Sequence, residues 1–335
     1  MIALRSLSST PVLLLTMLFI QHAAADDQNA RQISRPGLFQ PLTEPPCSYC
    51  STQHLKGLIE GHDRVVAWVR GAHNGGAFPL RHFLAGPRVV NDTYGLFFYD
   101  PDGGYVAAYQ KDYGYSFHGW RNGSMIVRGP DGSLWSALSG QCFEGPQKGK
   151  SLKRVPSMVT DWQYWLMLHP ESTAYDLFEG QTYQVMDLPA TRSRESITTM
   201  GDVDERLKPE ANVMGVRIRD DTMAFALDDQ AARACLNDSV GDTPVSVFWY
   251  GRTRSAIAFN RRLDDRVLTF YADDISPETA PIKDRETGTR WTLAGRGIDG
   301  PLRGRELQWV DSIQCRWFAW SAEFQDTKIH VPPSN

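Results

Sequence analysis

Short runs of apolar, β-branched and aromatic residues recur along this chain, cut apart by Gly, Asn, Asp and Pro. Val65–Arg70, Leu96–Tyr99, Val245–Tyr250 and Ala256–Phe259 are the clearest, and their length and boundaries predict strands joined by tight turns. Two stretches change period. Trp162, Trp165, Leu166 and His169 stand at i, i+3, i+4 and i+7, and Trp317, Trp320, Ser321 and Phe324 repeat that spacing. Each predicts one short helix with an apolar face, the first capped by Thr160 or Asp161. The paired tryptophans read as the packing face of that helix on a sheet. A sugar-stacking role requires exposed rings, which helical spacing disfavours.

The pattern also repeats on a longer scale. Val66, Val69, Arg70, Ala77, Phe78 and Leu80 match Val213, Val216, Arg217, Ala224, Phe225 and Leu227 at a constant spacing of 147 residues. Asn91-Asp92-Thr93 matches Asn237-Asp238-Ser239, and Trp135-Ser136 matches Trp291-Thr292. Gly140, Gly145, Pro146, Gly149 and Leu152 match Gly295, Gly300, Pro301, Gly304 and Leu307 at a spacing of 155, as do Trp162 and Trp165 with Trp317 and Trp320. The expectation is a β-rich α+β protein of two homologous repeats of short antiparallel strands, each closed by one short helix. Its parts are a preface (26–64), repeat one (65–173), a polar connector (174–212), repeat two (213–328) and a tail (329–335). Trp135, Trp162, Trp165, Trp291, Trp317 and Trp320 are the expected repeat core.

Composition narrows the class. Of 335 residues, 41% are hydrophobic and 22% charged, which excludes a disordered chain or a disulfide-packed miniprotein. A formal charge of −4 with no long Lys/Arg run excludes a nucleic-acid partner. Arg5, the apolar run Pro11–Ile20 and Ala23-Ala24-Ala25 make a secretory signal peptide cleaved after Ala25. Ten apolar residues rise about 15 Å, half of a hydrocarbon core of about 30 Å, so the run is too short to span. No later stretch is long and apolar enough, so the mature protein is expected in the periplasm or outside the cell, without a membrane span. Cys47, Cys50, Cys142, Cys235 and Cys315 make an odd set, leaving at least one thiol outside intramolecular disulfides. Asn91, Asn122 and Asn237 head Asn-x-Ser/Thr triplets that matter only in a eukaryotic secretory pathway.

Four stretches carry a family resemblance. They are Ala77-Phe78-Pro79-Leu80 leading to Val90-Asn91-Asp92; Gly132–Ser136 leading to Gly145-Pro146; Asp204–Val216; and Pro244–Arg261, with Trp317–Trp320 in support. On these residues the chain resembles the domain-of-unknown-function 3179 family of mostly exported proteins, over about residues 60–330. The resemblance implies no settled activity. Members typically carry a Cys-Pro-Leu-Cys run after the strand that here ends at Trp249, where this chain has Tyr250-Gly251-Arg252-Thr253. The family's His before Asn-Asp is replaced by Pro87 or Arg88. Thiol or metal chemistry placed there by the family is therefore missing, which implies a binding-type member.

Three features offer chemistry of their own. Cys47 and Cys50 precede a run through Leu55, Leu58 and Ile59 that Ser51 or Thr52 can cap, so Cys50 is expected at a positive helix end that favours thiolate. A structural disulfide, a redox pair and a metal site with His54 and His62 all remain open, although the spacing fits no common zinc module. Arg252, Arg254, Arg261, Arg262 and Arg266 concentrate charge on one predicted hairpin, either a solvated face or a pocket for an anion. Gly295, Gly297 and Gly300 satisfy a dinucleotide pattern, but Pro301 stands where its helix must begin, so a turn is expected. Asp100-Pro101-Asp102-Gly103-Gly104 likewise reads as a turn, because Lys111 replaces the last calcium ligand. No cofactor is indicated. The expectation is an exported binding or accessory protein for an unknown small ligand, glycan or protein, against an extracytoplasmic thiol or metal enzyme using Cys47 and Cys50.

Overall fold

The computed structural model describes residues 31–45, 59–70, 74–83, 86–175, 192–228, 230, 232–273 and 275–332. The signal peptide, Cys47, Cys50, His54 and part of the connector lie outside the described residues. Two short strands, β1 (Gln32–Ser34) and β2 (Leu42–Thr43), open the chain. The first half then runs β3 (Arg64–Arg70), β4 (Asn74–Pro79), β5 (Arg88–Asp92), β6 (Gly95–Asp100), β7 (Tyr105–Tyr109), β8 (Ser116–Arg121), β9 (Ser124–Arg128), β10 (Leu134–Ser136), β11 (Cys142–Glu144), β12 (Met158–Asp161), α1 (Trp162–Leu168) and β13 (Thr173–Ala174). Helix α2 (Arg194–Thr199) lies in the connector. The second half runs β14 (Asn212–Ile218), β15 (Asp221–Ala226), β16 (Arg233–Val240), β17 (Thr243–Tyr250), β18 (Ser255–Asn260), β19 (Arg262–Leu263), β20 (Arg266–Val267), β21 (Phe270–Ala272), β22 (Ile282–Asp284), β23 (Arg290–Trp291), β24 (Gly297–Asp299), β25 (Gln308–Trp309), β26 (Ser312–Arg316), α3 (Trp317–Glu323) and β27 (Lys328–Ile329). The protein is β-rich, mostly antiparallel, with few and short helices.

Sheet orders run in parallel. The sheet β12-β3-β4-β13 has the order and strand senses of β26-β14-β15-β27, the last strand of each being parallel to its neighbour. The hairpins β5-β6-β7 and β16-β17-β18 correspond, as do β8-β9-β10-β11 and β21-β22-β23-β24. A register shift falls before Trp135 in one outer sheet and before Trp291 in the other. Gly149 and Gly304 donate to the carbonyls of Cys142 and Gly297, and Leu152 and Leu307 to those of Gly140 and Gly295. These turns hold positive φ at Gly140, Gly145 and Gly149 and at Gly295, Gly300 and Gly304, a conformation that costs glycine least. The segment around Gly295, Gly297 and Gly300 is thus a turn-rich hairpin.

Strand pairing corrects the spacing at one place. Ala67 stands opposite Ala77 and Gly215 opposite Ala224, so Val65, not Val66, corresponds to Val213. The first hairpin has residues 71–73 between its paired ends and the second only Arg219–Asp220. A one-residue slip moves every side chain to the other face, and the packing follows the pairing. Val65 and Ala67 join Trp162 and Trp165, while Val213 joins Trp317 and Trp320.

Each hairpin sheet works with both faces, since successive strand residues point to opposite sides. Val66, Trp68 and Phe78 pack on Val90, Phe97, Tyr99 and Val106 of their own half. Met214, Val216 and Phe225 pack on Val245, Val247 and Ala258 of theirs. The opposite faces cross over. Val65, Trp162 and Trp165 share a cluster with Phe248, Phe259, Phe270 and Trp291 of the second half. Val213, Trp317 and Trp320 share one with Phe98, Phe117, Trp120 and Trp135 of the first. The halves therefore interleave, each helix sitting in the other half's core, and all six tryptophans expected as core are buried.

An asparagine ties the middle sheet to the outer one in each half, Asn91 buried and Asn237 half-buried. Asn91 Nδ2 donates to the carbonyl of Tyr115 and Asn91 Oδ1 accepts from its N–H, both at 3.1 Å. Asn237 does the same to Phe270 at 2.8 and 3.1 Å. Both amides are thus engaged inside the fold. Asn91→Ala orphans a buried N–H and a buried carbonyl and is expected to cost about 2 kcal/mol in urea denaturation; a loss under about 0.5 kcal/mol would show the clamp idle.

Candidate functional site

The crossed packing makes two junctions, each where the turn of one half's middle hairpin meets the start of the other half's helix. At the second junction, Tyr250–Arg254 meets α1. Arg64, 6% exposed, reaches from β3 to join them: its Nη1 donates to Asp161 Oδ1 at 3.0 Å and to the Thr253 carbonyl, and its Nη2 to the Arg254 carbonyl at 3.3 Å. A row of buried hydroxyls, Thr160, Ser255 and Thr253, follows at 2.8 Å steps. Tyr164 stacks on Tyr250 with ring centroids 4.8 Å apart, and its hydroxyl donates to the Glu278 carbonyl at 3.0 Å.

Beside this contact lies a cleft of about 220 Å³, lined by His62, Asp161, Gln163, Met167, Arg252 and Glu278 among others. Four separate segments supply its lining: Gly61-His62, Asp161 with α1, the turn Tyr250–Thr253, and Glu278. Arg252 forms an ion pair with Glu278 and its side chain stays 70% exposed. Asp161, the residue before α1, makes no side-chain cap bond because its carboxylate is turned to Arg64. Both carboxylates of the cleft face guanidinium groups, Asp161 that of Arg64 and Glu278 that of Arg252. The site can orient a polar ligand through charge-assisted hydrogen bonds.

At the first junction the turn is Asp100–Gly104 and the helix is α3. Arg316, in the place of Asp161, donates its N–H to the Gly103 carbonyl at 2.8 Å and Nη1 to the Asp102 carbonyl at 3.0 Å. Asp100 is fully buried and accepts from the N–H groups of Asp102, Gly103 and Met125 and from Ser124 Oγ, at 2.9 to 3.0 Å. Burial, and then the charge of Asp102, push its pKa up to about 6. That folded value lies above the unfolded one of about 3.9. The folded state therefore holds this proton more tightly, and the carboxyl favours folding as pH falls through that window. Asp100→Asn cannot titrate, so its stability deficit is expected to be larger near pH 4 than near pH 7. Equal deficits in paired denaturation curves would contradict this.

The structure divides the arginines that the sequence groups. Arg252 and Arg254 sit at one end of β18, and Arg261 and Arg262 at the other, about 17 Å away at 3.3 Å per residue. Arg261 is spent on the carbonyls of Leu268 and Asp238, and Arg262 and Arg266 are exposed. Of these arginines, Arg252 lines the cleft. His62 lies on the cleft, exposed and 3.6 Å from Glu60. Among the described residues no group of three or more His, Cys, Asp or Glu is placed to hold a metal ion, Asp100–Gly104 included. Cys142, Cys235 and Cys315 are free thiols, and burial raises the pKa of Cys315.

Sequence reasoning missed Arg64 and the buried pair Asp63–Arg81, which carry the cleft wall and its rim. The signal was available: Asp63-Arg64 abuts the Val65 run, and Arg81 stands between Leu80 and Phe83. Charges set inside apolar runs are rarely buried unless paired.

A family model described as protein of unknown function (DUF3179) matches residues 122–327. No curated protein and no solved structure matches the chain.

Proposed function

The chain belongs to the DUF3179 family, and from that footing we propose that it is an exported binding or accessory protein whose ligand seat is the cleft at the second junction. The convergence of His62, Asp161, Gln163, Arg252 and Glu278 from four segments of both halves carries this reading. Clefts between packed units are the commonest ligand sites. The cleft offers donors and acceptors to a polar ligand. Export rests on the leader, and the two halves are taken as a duplication of one unit, supported by the matched sheet orders and turn bonds.

The reading as a thiol or metal enzyme rests on Cys47 and Cys50, outside the described residues, and no feature of the cleft favours it. A thermal-shift screen of polar small molecules, glycans and peptides tests the proposal. Arg252→Glu, which reverses the exposed charge of the cleft, is expected to weaken a ligand so found by about tenfold or more. Arg219→Glu, on the exposed β14–β15 turn, is expected to leave it unchanged. Ligands indifferent to Arg252→Glu would sink the assignment.

A further inference from the structure

Helix α2 holds down a turn that carries chemistry of its own. Strands β8 and β9 are paired up to Arg121 and Ser124, so Asn122-Gly123 is the whole of their turn. Both residues have positive φ, 52° and 82°, the pair of conformations that favours Asn-Gly in a two-residue hairpin. Asn91 and Asn237 spend their amides on backbone groups. Asn122 is half-buried, on a small pit that Met200, Asp202 and Phe318 also line. An Asn-Gly step can rearrange through its own backbone. The Gly nitrogen attacks the Asn side-chain carbonyl carbon, and with no Cβ on the Gly its approach is unhindered. The N–Cγ bond forms, the Gly N–H proton passes through solvent to the amide nitrogen, and that nitrogen leaves as ammonia. Water then opens the resulting five-membered imide at either carbonyl, giving aspartate or isoaspartate. One water enters, one ammonia departs, and nothing is oxidised or reduced.

We propose that Asn122 is a site of spontaneous conversion to aspartate and isoaspartate, and that docked α2 is its guard. The Gly123 N–H donates to Thr199 Oγ1 at 3.1 Å, and the Gly123 carbonyl accepts from Ser196 Oγ at 2.5 Å. Gly123 is buried, with Met200 and Phe318 so close that an added Cβ would stand 2.7 and 2.9 Å from them. For the nitrogen to reach Asn122 Cγ, the bond to Thr199 must break and the peptide must turn beneath α2. That helix is six residues long and is fastened at its start by Ser193, whose N–H and Oγ donate to the Asp102 carboxylate at 2.5 and 2.7 Å. A short element held by a few polar bonds opens locally more often than the fold unfolds. Loss of ammonia makes the conversion one-way, so it records the time that α2 has spent lifted. Isoaspartate adds a methylene to the main chain of a two-residue turn and a carboxylate beside Asp202. Both oppose the return of α2 to Gly123.

The test follows Asn122 in the full chain by peptide mapping with mass spectrometry, during incubation in mildly alkaline buffer with and without concentrated urea. Asn122 is expected to convert in urea, and to convert at least about tenfold more slowly in the native chain, where two buried hydrogen bonds hold Gly123. Thr199→Val removes the acceptor of the Gly123 N–H, and Ser193→Ala unfastens α2 from Asp102. Each is expected to raise the native rate severalfold, while Asn122→Gln yields no product at that position. Amide-exchange protection in β17 shows whether a variant keeps its fold. Should one lose it, the other variant and the comparison of native with urea-unfolded parent still decide. An Asn122 that survives urea, a native chain that converts as fast as the unfolded one, or folded variants no faster than the parent would each overturn the proposal.

Discussion

Trp317→Ala is expected to cost about 3–5 kcal/mol, the range for a buried Trp truncation, and to loosen the first half as much as the second. Trp317 belongs to the second half by sequence, but its ring is fully buried in a cluster with Phe98, Phe117, Trp120 and Trp135. Its indole N–H donates to the Asp204 carbonyl at 2.8 Å, so the truncation also orphans a backbone acceptor. Shrinking the ring leaves a cavity between elements that are far apart in sequence, where collapse requires moving α3 against the β8-β9 sheet. Urea denaturation gives the magnitude, and amide exchange gives the location. A loss below about 1 kcal/mol, or one confined to the second half, would show that the halves have separate cores.

Arg81→Leu is expected to have a similar cost, about 3–5 kcal/mol, for an electrostatic reason. Arg81 and Asp63 form an ion pair with side chains 5% and 1% exposed. Removing one partner of a buried pair strands the other charge without water. Asp63 also accepts from the Glu60 N–H at 2.6 Å, and its carbonyl accepts from the N–H of Trp162 at 2.9 Å. The pair thereby fixes Gly61-His62 on the cleft rim and the first turn of α1. The double variant Asp63→Leu with Arg81→Leu removes both charges and is expected to recover part of the loss. If the double variant is no more stable than Arg81→Leu alone, the cost is one of packing, and the electrostatic account fails.

Local structure was legible where local rules decide it. The runs at Val65–Arg70, Leu96–Tyr99, Val245–Tyr250 and Ala256–Phe259 lie within β3, β6, β17 and β18, because alternation and turn residues act over a few positions. The two tryptophan-spaced helices appear at Trp162 and Trp317 for the same reason. Crossed packing was not legible. An apolar face states that it needs a cover, and nothing in Val65 or Val213 says which half supplies it. The spacing of 147 misplaced β3 by one residue because the extra loop residue is invisible to a match that tolerates either face. How the arginines divide was not legible for a geometric reason. Arg252 and Arg262 are close in sequence, but an extended strand carries them apart. Helix α2 carried a usable signal, Ser193 followed by Glu195 in the first turn.

The central claim is that the halves interleave into one cooperative body with two junctions. It is tested most directly by hydrogen exchange read by mass spectrometry along a urea series. Protection in β9 of the first half and β17 of the second is predicted to vanish at a single midpoint. Two midpoints, with one half still protected after the other has opened, would contradict it.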